Sequence, residues 1–354
     1  MTTPLFTIVI SGYQNEPYLP KCLESIKNQT FTNFEAICYV EESTDNSLAI
    51  CEEMGKRDAR FKIVSAPKSG SASATRNYAI DYGEGEYLAV VDGDDWLATD
   101  MFEKLANKLR EAGNVDILSF SAISTQTDEA DWENDPKETN FNVQEAIGVF
   151  SGIDAIRFAW HHIKTNFYAY TGLSIYKISF LKENQLYQIK GLTLEDYEWV
   201  PRVWFCAKTF AYLNENFYVY RHRNNSITTK APSNNIFAFS HHFHTFIDFI
   251  HTHSVPDDIL GIWSNQWLSL FYSLVYYPAK THSLSISNDD RKRILEIFFD
   301  QEHKKLFWKF LLKSSMPQRL ALPFVWLASK GLQMPAKLFF EKIYYPLAEK
   351  RGKA

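Results

Sequence analysis

The sequence predicts an α/β fold: a Rossmann-like, mostly parallel β-sheet with helices on both faces, followed by a C-terminal helical region. Three observations support this prediction. Apolar, β-branched runs alternate with segments of helical periodicity over residues 5–122. Polar and acidic residues follow the ends of several of these runs. From residue 236 onward the pattern is helical and aromatic throughout.

The apolar runs in the first part of the chain are predicted to be strands. The first, LFTIVIS at residues 5–11, is continuous, as expected of a strand that is covered on both faces. The runs that follow have a similar length and character. They are residues 34–40, 61–66, 86–91 and 115–122. Since helices separate them, neighbouring strands should run parallel, each joined to the next by a crossover connection.

The segments between these runs are predicted to be helices. In the first of them, Leu19, Cys22 and Ile26 recur at helical spacing. The second begins with residues that commonly cap helices. The predicted helices are residues 16–29, 43–57, 71–82 and 99–113.

A change of pattern divides the chain into two predicted domains. Residues 123–145 are polar and are expected to form a loop or insertion. A mixed region with aromatic strands, such as residues 167–176, follows. The segment TTKAPSNN at residues 228–235 has the composition of a linker. We therefore predict domains at residues 1–230 and 231–354.

The composition is that of an ordinary globular protein, with 45% hydrophobic and 22% charged residues. The net charge of -5 indicates no nucleic-acid partner. The four cysteines form no CxxC pair and mostly lie inside apolar patterns, which favours reduced thiols and a cytoplasmic location. No window reaches the roughly 18 apolar residues that a membrane span needs.

An acidic turn follows the predicted strand at residues 86–91. Asp92, Asp94 and Asp95 repel one another unless a cation neutralises them. Asp92 and Asp94 lie two positions apart, and Gly93 allows a tight turn between them. Carboxylate oxygens are ligands for Mg²⁺ or Mn²⁺, so the turn could seat a metal-bound diphosphate. The alternative is a solvated turn that caps the next helix.

Other strand ends supply polar groups to the same edge. Ser11 and Tyr13 follow the first strand. Glu41 follows the second and could accept hydrogen bonds from a base or a ribose. Asp45 is better explained as a helix cap. Arg76 comes after a Gly/Ser loop and could reach either a phosphate or a carboxylate of the acidic turn, and both interpretations stay open.

These motifs resemble the inverting glycosyltransferases of family 2, which have the GT-A fold and use nucleotide-activated sugars. The resemblance lies in TIVISGYQNEPYLPKCLESIKNQTFTNFEAI, ESTDNS, GSASATRNYAI, GEYLAVVDGDDWL and LTLEDYEWV, which occur in the order of the family. Together they extend over about residues 5–226.

The resemblance implies roles for residues on the nucleotide side. Ser11 and Glu41 would line the nucleotide, with Glu41 near the base. Asp92 would contact the ribose or help to hold the metal, and Asp94 would bind the metal that bridges the donor diphosphate. Arg76 would lie under the nucleotide site. Tyr13 and Gly93 belong to the same expected binding surface.

The resemblance also implies the catalytic residues. Asp196 would be the general base, and Glu195 would orient the acceptor or the base. Arg221 or Arg223 would approach the diphosphate. The role of Asp95 is left open.

One segment departs from the family pattern. The family usually has Asp-Asp-Gly where this chain has Val40, Glu41 and Glu42. Glu41 keeps the carboxylate on a side chain that is one methylene longer, and Glu42 replaces a glycine. This departure puts the detailed contact with the base in question.

The implied function is transfer of a sugar from a nucleotide-diphospho-sugar, with UDP-sugar the first choice, to a glycan or lipid-linked acceptor in surface polysaccharide biosynthesis. The implied cofactor is Mn²⁺ or Mg²⁺. The alternative is a non-catalytic nucleotide-sugar or glycan-binding module on the same fold. A nucleotidyltransferase ranks below both, because SGYQNEPYLP lacks a Gly-rich loop with basic residues.

The C-terminal part is basic and aromatic. Residues 301–354 carry 11 Lys and Arg against 3 Asp and Glu. Basic amphipathic helices of this kind associate with anionic membrane surfaces, here the inner face of the cell membrane. The alternatives are packing on the catalytic domain and an oligomer contact. Histidines such as His241 and His244 are better explained by helix packing than by metal binding.

Overall fold

The computed structural model describes residues 3–127, 129–130, 137–138, 148–163, 170–222, 233–276, 312–314 and 323. The chain divides into two compact units. The first comprises Met1–His162 and Tyr168–Arg223, and the second Ile163–Phe167 and Asn224–Ala354. The domain boundary expected at residue 230 lies outside the described residues and stays a prediction.

The first unit contains the sheet and its helices. Its strands are β1 Phe6–Gly12, β2 Phe34–Glu41, β3 Phe61–Ala66, β4 Tyr87–Asp92, β5 Trp96–Leu97, β6 Ile117–Thr125, β7 Lys137–Glu138, β8 Val149–Phe150, β9 Ser174–Lys177 and β10 Phe210–Arg221. Its helices are α1 Leu19–Lys27, α2 Ser47–Arg57, α3 Ser73–Tyr82, α4 Met101–Ala112, α5 Gly152–Ile163, α6 Ile178–Glu183 and α7 Asp196–Cys206.

The described strands form one mixed sheet in the order β3-β2-β1-β4-β9-β6-β10-β5, with β7 added to β6 and β8 to β10. The pairs β2–β3, β1–β2, β1–β4 and β6–β10 are parallel. β9 runs antiparallel between β4 and β6. The sequence-based prediction of a mostly parallel sheet is confirmed in its N-terminal part, and the antiparallel strands lie toward the other edge.

Helices cover both faces of this sheet, as predicted. On one face, Ile8 and Ile10 of β1 share a buried core with Leu23 of α1 and Leu105 of α4. Side chains of a strand alternate between faces, so the residues between them point to the opposite side. There α3 contacts β1. On β9, the ring of Tyr176 meets that of Trp199 from α7 edge-on, with centroids 5.0 Å apart.

Strand register brings polar side chains to a single edge. Ser11 of β1 pairs with Asp92 of β4 and with Tyr39 of β2. The carboxyl ends of these parallel strands are therefore level with one another. In open α/β sheets, ligands bind at this edge.

Gly93 allows the chain to turn tightly at the end of β4. A Cβ atom at this position would lie 2.4 Å from the carbonyl oxygen of Ser11 and 2.6 Å from Nδ2 of Asn15. These distances are far below van der Waals contact, so a larger residue would push the acidic turn away from β1.

Three local predictions need correction. The two-residue strand β5 was not predicted, because so short a segment shows no periodicity; it pairs antiparallel with β10. β6 continues to Thr125, into the expected loop at residues 123–145. In the expected strand at residues 167–176, only β9 is extended among the described residues, after a 3-10 turn at Thr171–Leu173.

The second unit is helical where it is described, as predicted. α8 spans Ser233–Thr252 and α9 spans Asp257–Tyr276, so α8 begins within the expected linker. The ring of Phe246 in α8 lies 4.8 Å from that of Trp263 in α9. None of the described helices is long and apolar enough to cross a membrane. Most of the basic segment at residues 301–354 lies outside the described residues.

Replacing Phe102 with Ala should lower the free energy of unfolding by about 3–5 kcal/mol. Phe102 of α4 is fully buried, and its ring centroid lies 4.9 Å from that of Phe6 and 6.2 Å from that of Phe34. Urea unfolding measures the change. Tyr82→Ala is the control, because Tyr82 is 66% exposed and its loss should change stability by about 0.5 kcal/mol. Equal losses in both variants would contradict this description of the core.

Candidate active site

The acidic turn connects β4 to β5. Asp92 is the last residue of β4, and the backbone N–H of Asp95 donates to its carbonyl oxygen at 3.0 Å. This bond closes the turn around Gly93 and Asp94. The three carboxylates that the sequence places together thus lie on one tight loop at the edge where ligands are expected.

Asp95 anchors the turn to β10. Its carboxylate accepts hydrogen bonds from the Tyr218 hydroxyl at 2.7 Å and the Arg221 backbone N–H at 2.8 Å, and from the Tyr170 hydroxyl at 3.2 Å. Asp95 is only 1% exposed, and this burial, together with the charges of Asp94 and Asp92, raises the pKa of its carboxyl well above the usual value. The role that the sequence left open is therefore structural support.

Arg221 lies against the acidic turn. Its Nε atom donates to the carbonyl oxygen of Asp94 at 2.9 Å. Its guanidinium carbon lies 4.6 Å from the centroid of the Trp96 ring and 4.9 Å from that of Tyr18. These aromatic contacts hold the cation at the turn. Arg223, the other expected arginine, lies outside the described residues.

Asp92 connects β1, the turn and α3. The Ser11 hydroxyl donates to its Oδ1 at 3.2 Å, and Nη2 of Arg76 lies 3.8 Å from the same oxygen. The Tyr170 hydroxyl lies 3.4 Å from Oδ2. The backbone N–H of Asp92 donates to the Tyr218 hydroxyl oxygen at 3.1 Å.

Arg76 brings the two parts of the candidate site together. Its Nη1 atom donates to Oδ1 of Asp196 at 2.6 Å and to Oε1 of Glu195 at 2.8 Å. Arg76 as a whole is 4% exposed. Burial lowers its pKa, but the carboxylates of Asp196, Glu195 and Asp92 outweigh this effect and raise the pKa above its ordinary value. The sequence left a phosphate contact and an ion pair open; the structure contains the ion pair.

Asp196 is the first residue of α7, where the partial positive charge of a helix N-terminus favours a carboxylate. The Thr171 hydroxyl donates a short hydrogen bond to Oδ1, and the Thr171 backbone N–H lies 3.5 Å from Oδ2. Leu194 has a positive φ of 64°, so the chain bends sharply just before the acids. The side chain is thus held by Arg76 and Thr171 together.

Glu195 is a buried acid with a raised pKa. Burial has the largest effect on the carboxyl and raises its pKa to about 7. The positive charge of Arg76 opposes this rise. Asp196 and Asp92 contribute to the rise by like-charge repulsion. Glu195 can therefore exchange a proton near neutral pH next to the candidate base.

Asn77 of α3 fixes the segment that leads to these acids. Its Nδ2 donates to the Gln188 carbonyl oxygen at 2.8 Å, and the Gln188 backbone N–H donates back to its Oδ1 at 2.9 Å. Adjacent residues of one helix, Arg76 and Asn77, thus hold the acids and the chain before them.

Glu41, expected near the base, and Tyr13, expected on the nucleotide-sugar-binding surface, contact the loop between β3 and α3. Glu41 is 8% exposed and accepts hydrogen bonds from the Ser69 backbone N–H at 3.1 Å and from the Ser69 hydroxyl. The Tyr13 hydroxyl accepts a hydrogen bond from Nζ of Lys68 at 2.5 Å. Asp45 accepts hydrogen bonds from the hydroxyl and backbone N–H of Ser47 at the start of α2, while the N-cap residue of this helix is Asn46.

The oxygen groups of the acidic turn fit a hard divalent cation. Asp95 is buried, whereas the side chain of Asp92 is 29% exposed, so Asp92 and Asp94 are the carboxylates that would bind one. Among the described residues, no set of three or more His, Cys, Asp or Glu side chains could hold a metal. Mg²⁺ commonly uses one or two carboxylates and completes its shell with water and substrate phosphate oxygens, which suits this turn.

Sequence reasoning missed several residues that support the site. Their partners are distant in the sequence, and only the aromatic run at residues 167–176 gave a signal, which predicted a strand. The missed residues are Lys68, Ser69, Asn77, Tyr170, Thr171, Gln188 and Tyr218.

The fold and the acidic turn together define a GT-A-type domain. Solved structures of S. aureus TarS (residues 1–349) superpose on the chain with TM-scores of 0.73 for the complex with UDP-GlcNAc and 0.70 for the complex with UDP. The identity is 17%, and the alignment covers 95% of this chain and 91% of TarS. The family model for glycosyl transferase family 2 matches residues 7–171. The matched segment, residues 7–171, is therefore assigned to glycosyl transferase family 2.

Curated relatives agree with this assignment. A putative glycosyltransferase of Bacillus subtilis (strain 168), EpsH, is 28% identical over 238 residues, which are 65% of this chain and 64% of EpsH. The minor teichoic acid biosynthesis protein GgaB of the same organism is 33% identical over 118 residues, 32% of this chain and 13% of GgaB. The chain thus matches less than two thirds of the length of EpsH.

Replacing Glu195 with Gln should flatten the dependence of stability on pH. Between the ordinary carboxyl pKa of 4.5 and about 7, folded wild-type protein keeps a proton that the unfolded chain releases. The free energy of unfolding therefore falls as pH rises through this window, by up to about 3 kcal/mol. The variant lacks this contribution.

Urea unfolding at pH 5 and pH 7.5 measures the slope. Glu111→Gln serves as the control, because Glu111 is exposed on α4 and its loss should leave the wild-type slope intact. A Glu195→Gln variant that loses as much stability as wild type over this range would show that Glu195 titrates normally.

Proposed function

We propose that the chain is an inverting glycosyltransferase that moves a sugar from a nucleotide-diphospho-sugar to a hydroxyl group of a glycan or lipid-linked acceptor. The observation that carries the proposal is the Arg76 ion-pair cluster. It joins Glu195 and Asp196 to Asp92 of the acidic turn, at the sheet edge where α/β proteins bind ligands. A donor-binding region and a candidate general base are thereby neighbours.

The proposed donor is a UDP-sugar. The support is the fold shared with TarS, whose solved complexes contain UDP and UDP-GlcNAc. In this chain, Ser11, Tyr13 and Glu41 lie at or just after the ends of β1 and β2, where a nucleotide would bind. The proposed acceptor belongs to a surface polysaccharide, since GgaB is named for teichoic acid biosynthesis.

Asp94 and Asp92 would hold a divalent cation, Mn²⁺ or Mg²⁺. When bound, such an ion neutralises the negative charge that develops on a departing diphosphate. Arg221 contributes a fixed positive charge on the same side, because its guanidinium is held at the Asp94 carbonyl oxygen. A preorganised cation of this kind stabilises developing charge without rearranging during the reaction.

Asp196 would take the proton from the acceptor hydroxyl. Its Oδ1 atom accepts hydrogen bonds from Arg76 and Thr171, so Oδ2, whose contact with the Thr171 backbone N–H is longer at 3.5 Å, is the oxygen proposed to accept the proton. The hydroxyl then attacks the anomeric carbon from the face opposite the diphosphate. A single displacement assisted by one base inverts the configuration at that carbon. Glu195, with its pKa near neutrality, adjusts the charge beside the base.

Asp196→Asn should reduce turnover by at least about 10³-fold, because an amide cannot accept the proton, while donor binding stays near the wild-type level. Asn is close in size and can keep the hydrogen bond to Thr171. UDP release from UDP-sugars measures turnover, and calorimetric titration with UDP and Mn²⁺ measures binding.

Asp94→Asn is the matched comparison. It removes a carboxylate from the proposed cation site, so UDP binding should lose its dependence on Mn²⁺, in contrast to Asp196→Asn. Turnover that survives in Asp196→Asn would rule out this residue as the base. Wild-type protein that binds UDP but shows no turnover with any acceptor would favour the non-catalytic alternative.

Residues 301–354 are proposed to bind the anionic inner face of the cell membrane, where a lipid-linked acceptor would be available. The support is their excess of Lys and Arg, interleaved with Phe, Trp, Tyr and Leu. The proposed location is therefore cytoplasmic and peripheral to the membrane.

Flotation with liposomes tests this proposal. The full chain should float with vesicles that contain anionic lipids, remain unbound with neutral vesicles, and detach as salt is raised. A chain that ends near residue 300 should lose the interaction, and its circular dichroism spectrum verifies that it is folded. Equal flotation of both chains would contradict the proposal.

A further inference from the structure

The loop between β3 and α3, residues 67–72, contacts two parts of the candidate site. One part is formed by Tyr13 and Glu41, and the other is the segment that precedes Glu195 and Asp196. We refer to the loop as the serine loop, after Ser69 and Ser71. It begins after Ala66, which pairs with Glu41 at the ends of β3 and β2. Its contacts therefore start beside one of the residues expected to face the nucleotide base.

Ser69 binds the carboxylate of Glu41 twice. Its backbone N–H donates to Oε2 at 3.1 Å, and its hydroxyl donates a short hydrogen bond to Oε1. Glu41 is 8% exposed, so both bonds form in a largely dehydrated place, where hydrogen bonds to a charged group are strong. These bonds fix the orientation of the carboxylate.

Lys68, the residue before Ser69, contacts the side chain of Tyr13. Nζ of Lys68 donates to the Tyr13 hydroxyl at 2.5 Å and lies 4.4 Å from the centroid of the ring. Consecutive residues of the serine loop therefore contact the two side chains, Tyr13 and Glu41, that follow or end β1 and β2.

The far end of the serine loop contacts the segment before the catalytic acids. The backbone N–H of Gly191 donates to the Ser71 hydroxyl oxygen at 3.1 Å. Gly191 has a positive φ of 77°, which glycine adopts without strain. The serine loop is thus fixed at both ends, so Ser69 has a defined position relative to Glu41.

We propose that Ser69 is a positioning residue that sets the nucleobase preference of the donor site through Glu41. This inference rests on the proposed function. A carboxylate offers about four lone-pair positions. Ser69 occupies two of them, so Glu41 can accept only from base N–H groups that reach the remaining positions. The additional methylene of Glu, compared with Asp, gives the carboxylate the reach to Ser69.

Calorimetric titration of the full chain with UDP, GDP, CDP and ADP, each with Mg²⁺, tests the proposal, and inorganic pyrophosphate with Mg²⁺ serves as a ligand without a base. In Ser69→Ala, the affinity for the preferred nucleoside diphosphate should fall about tenfold, because the Glu41 carboxylate loses its hydroxyl partner. The affinity ratio between preferred and other nucleotides should narrow. Pyrophosphate affinity should not change.

Two further variants separate positioning from general damage. Ser69→Thr keeps the hydroxyl and should retain the wild-type preference. Glu41→Asp shortens the side chain and should narrow the preference as Ser69→Ala does. Ser65→Ala, at an exposed position of β3, is the matched control and should behave as wild type. Thermal melts establish that each variant is folded.

Each outcome decides between the alternatives. Wild-type affinities in Ser69→Ala, or a parallel loss of pyrophosphate binding, would overturn the role of Ser69 and leave the proposed function intact. Failure of wild-type protein to bind any of the four nucleotides would overturn the proposed function itself, and the inference with it.

Discussion

The candidate site depends on the ion pairs that the buried guanidinium of Arg76 makes with carboxylates. A buried cation is costly unless carboxylates and hydrogen bonds compensate for the lost water. Here Glu195 and Asp196 lie within 2.8 Å of the same nitrogen, and Asp92 lies 3.8 Å from the other. Removal of the arginine would leave buried carboxylates without a counter-charge. The attraction between the Arg76 guanidinium and these three carboxylates therefore keeps β4, α3 and the start of α7 in one arrangement.

α3 has a central position in this arrangement because consecutive residues of the helix bind different segments of the chain. Arg76 holds the acids, and Asn77 holds the backbone at Gln188, a few residues before them. A candidate general base must be placed accurately with respect to its substrate, since misplacement by about 1 Å can cost about 100-fold in rate. Two side chains on one rigid helix supply that accuracy more reliably than a free loop.

The sequence predicted the parallel part of the sheet and most of its helices, because their apolar periodicity is local. It also placed Asp92, Asp94 and Arg76 at one edge. It could not predict that β9 inserts antiparallel between β4 and β6, or that β5 pairs with β10, because these pairings join segments that are far apart in the chain. Thr171 lies in the 3-10 turn before β9. Its contact with Asp196 could not be predicted for the same reason.

The acidic turn shows how a protein can keep adjacent carboxylates together. Asp95 is withdrawn into the core, where hydroxyl and backbone donors from β10 surround it and burial raises the pKa of its carboxyl. Asp92 is shared between Ser11 and Arg76. At Asp94, Nε of Arg221 donates to the backbone carbonyl oxygen. Asp92 and Asp95 share the Tyr170 hydroxyl, but their other side-chain partners differ although they lie within four positions of the sequence. Since Asp95 is committed to the core, the negative charge on the ligand side is concentrated at Asp92 and Asp94, where a divalent cation and a diphosphate would complete the site.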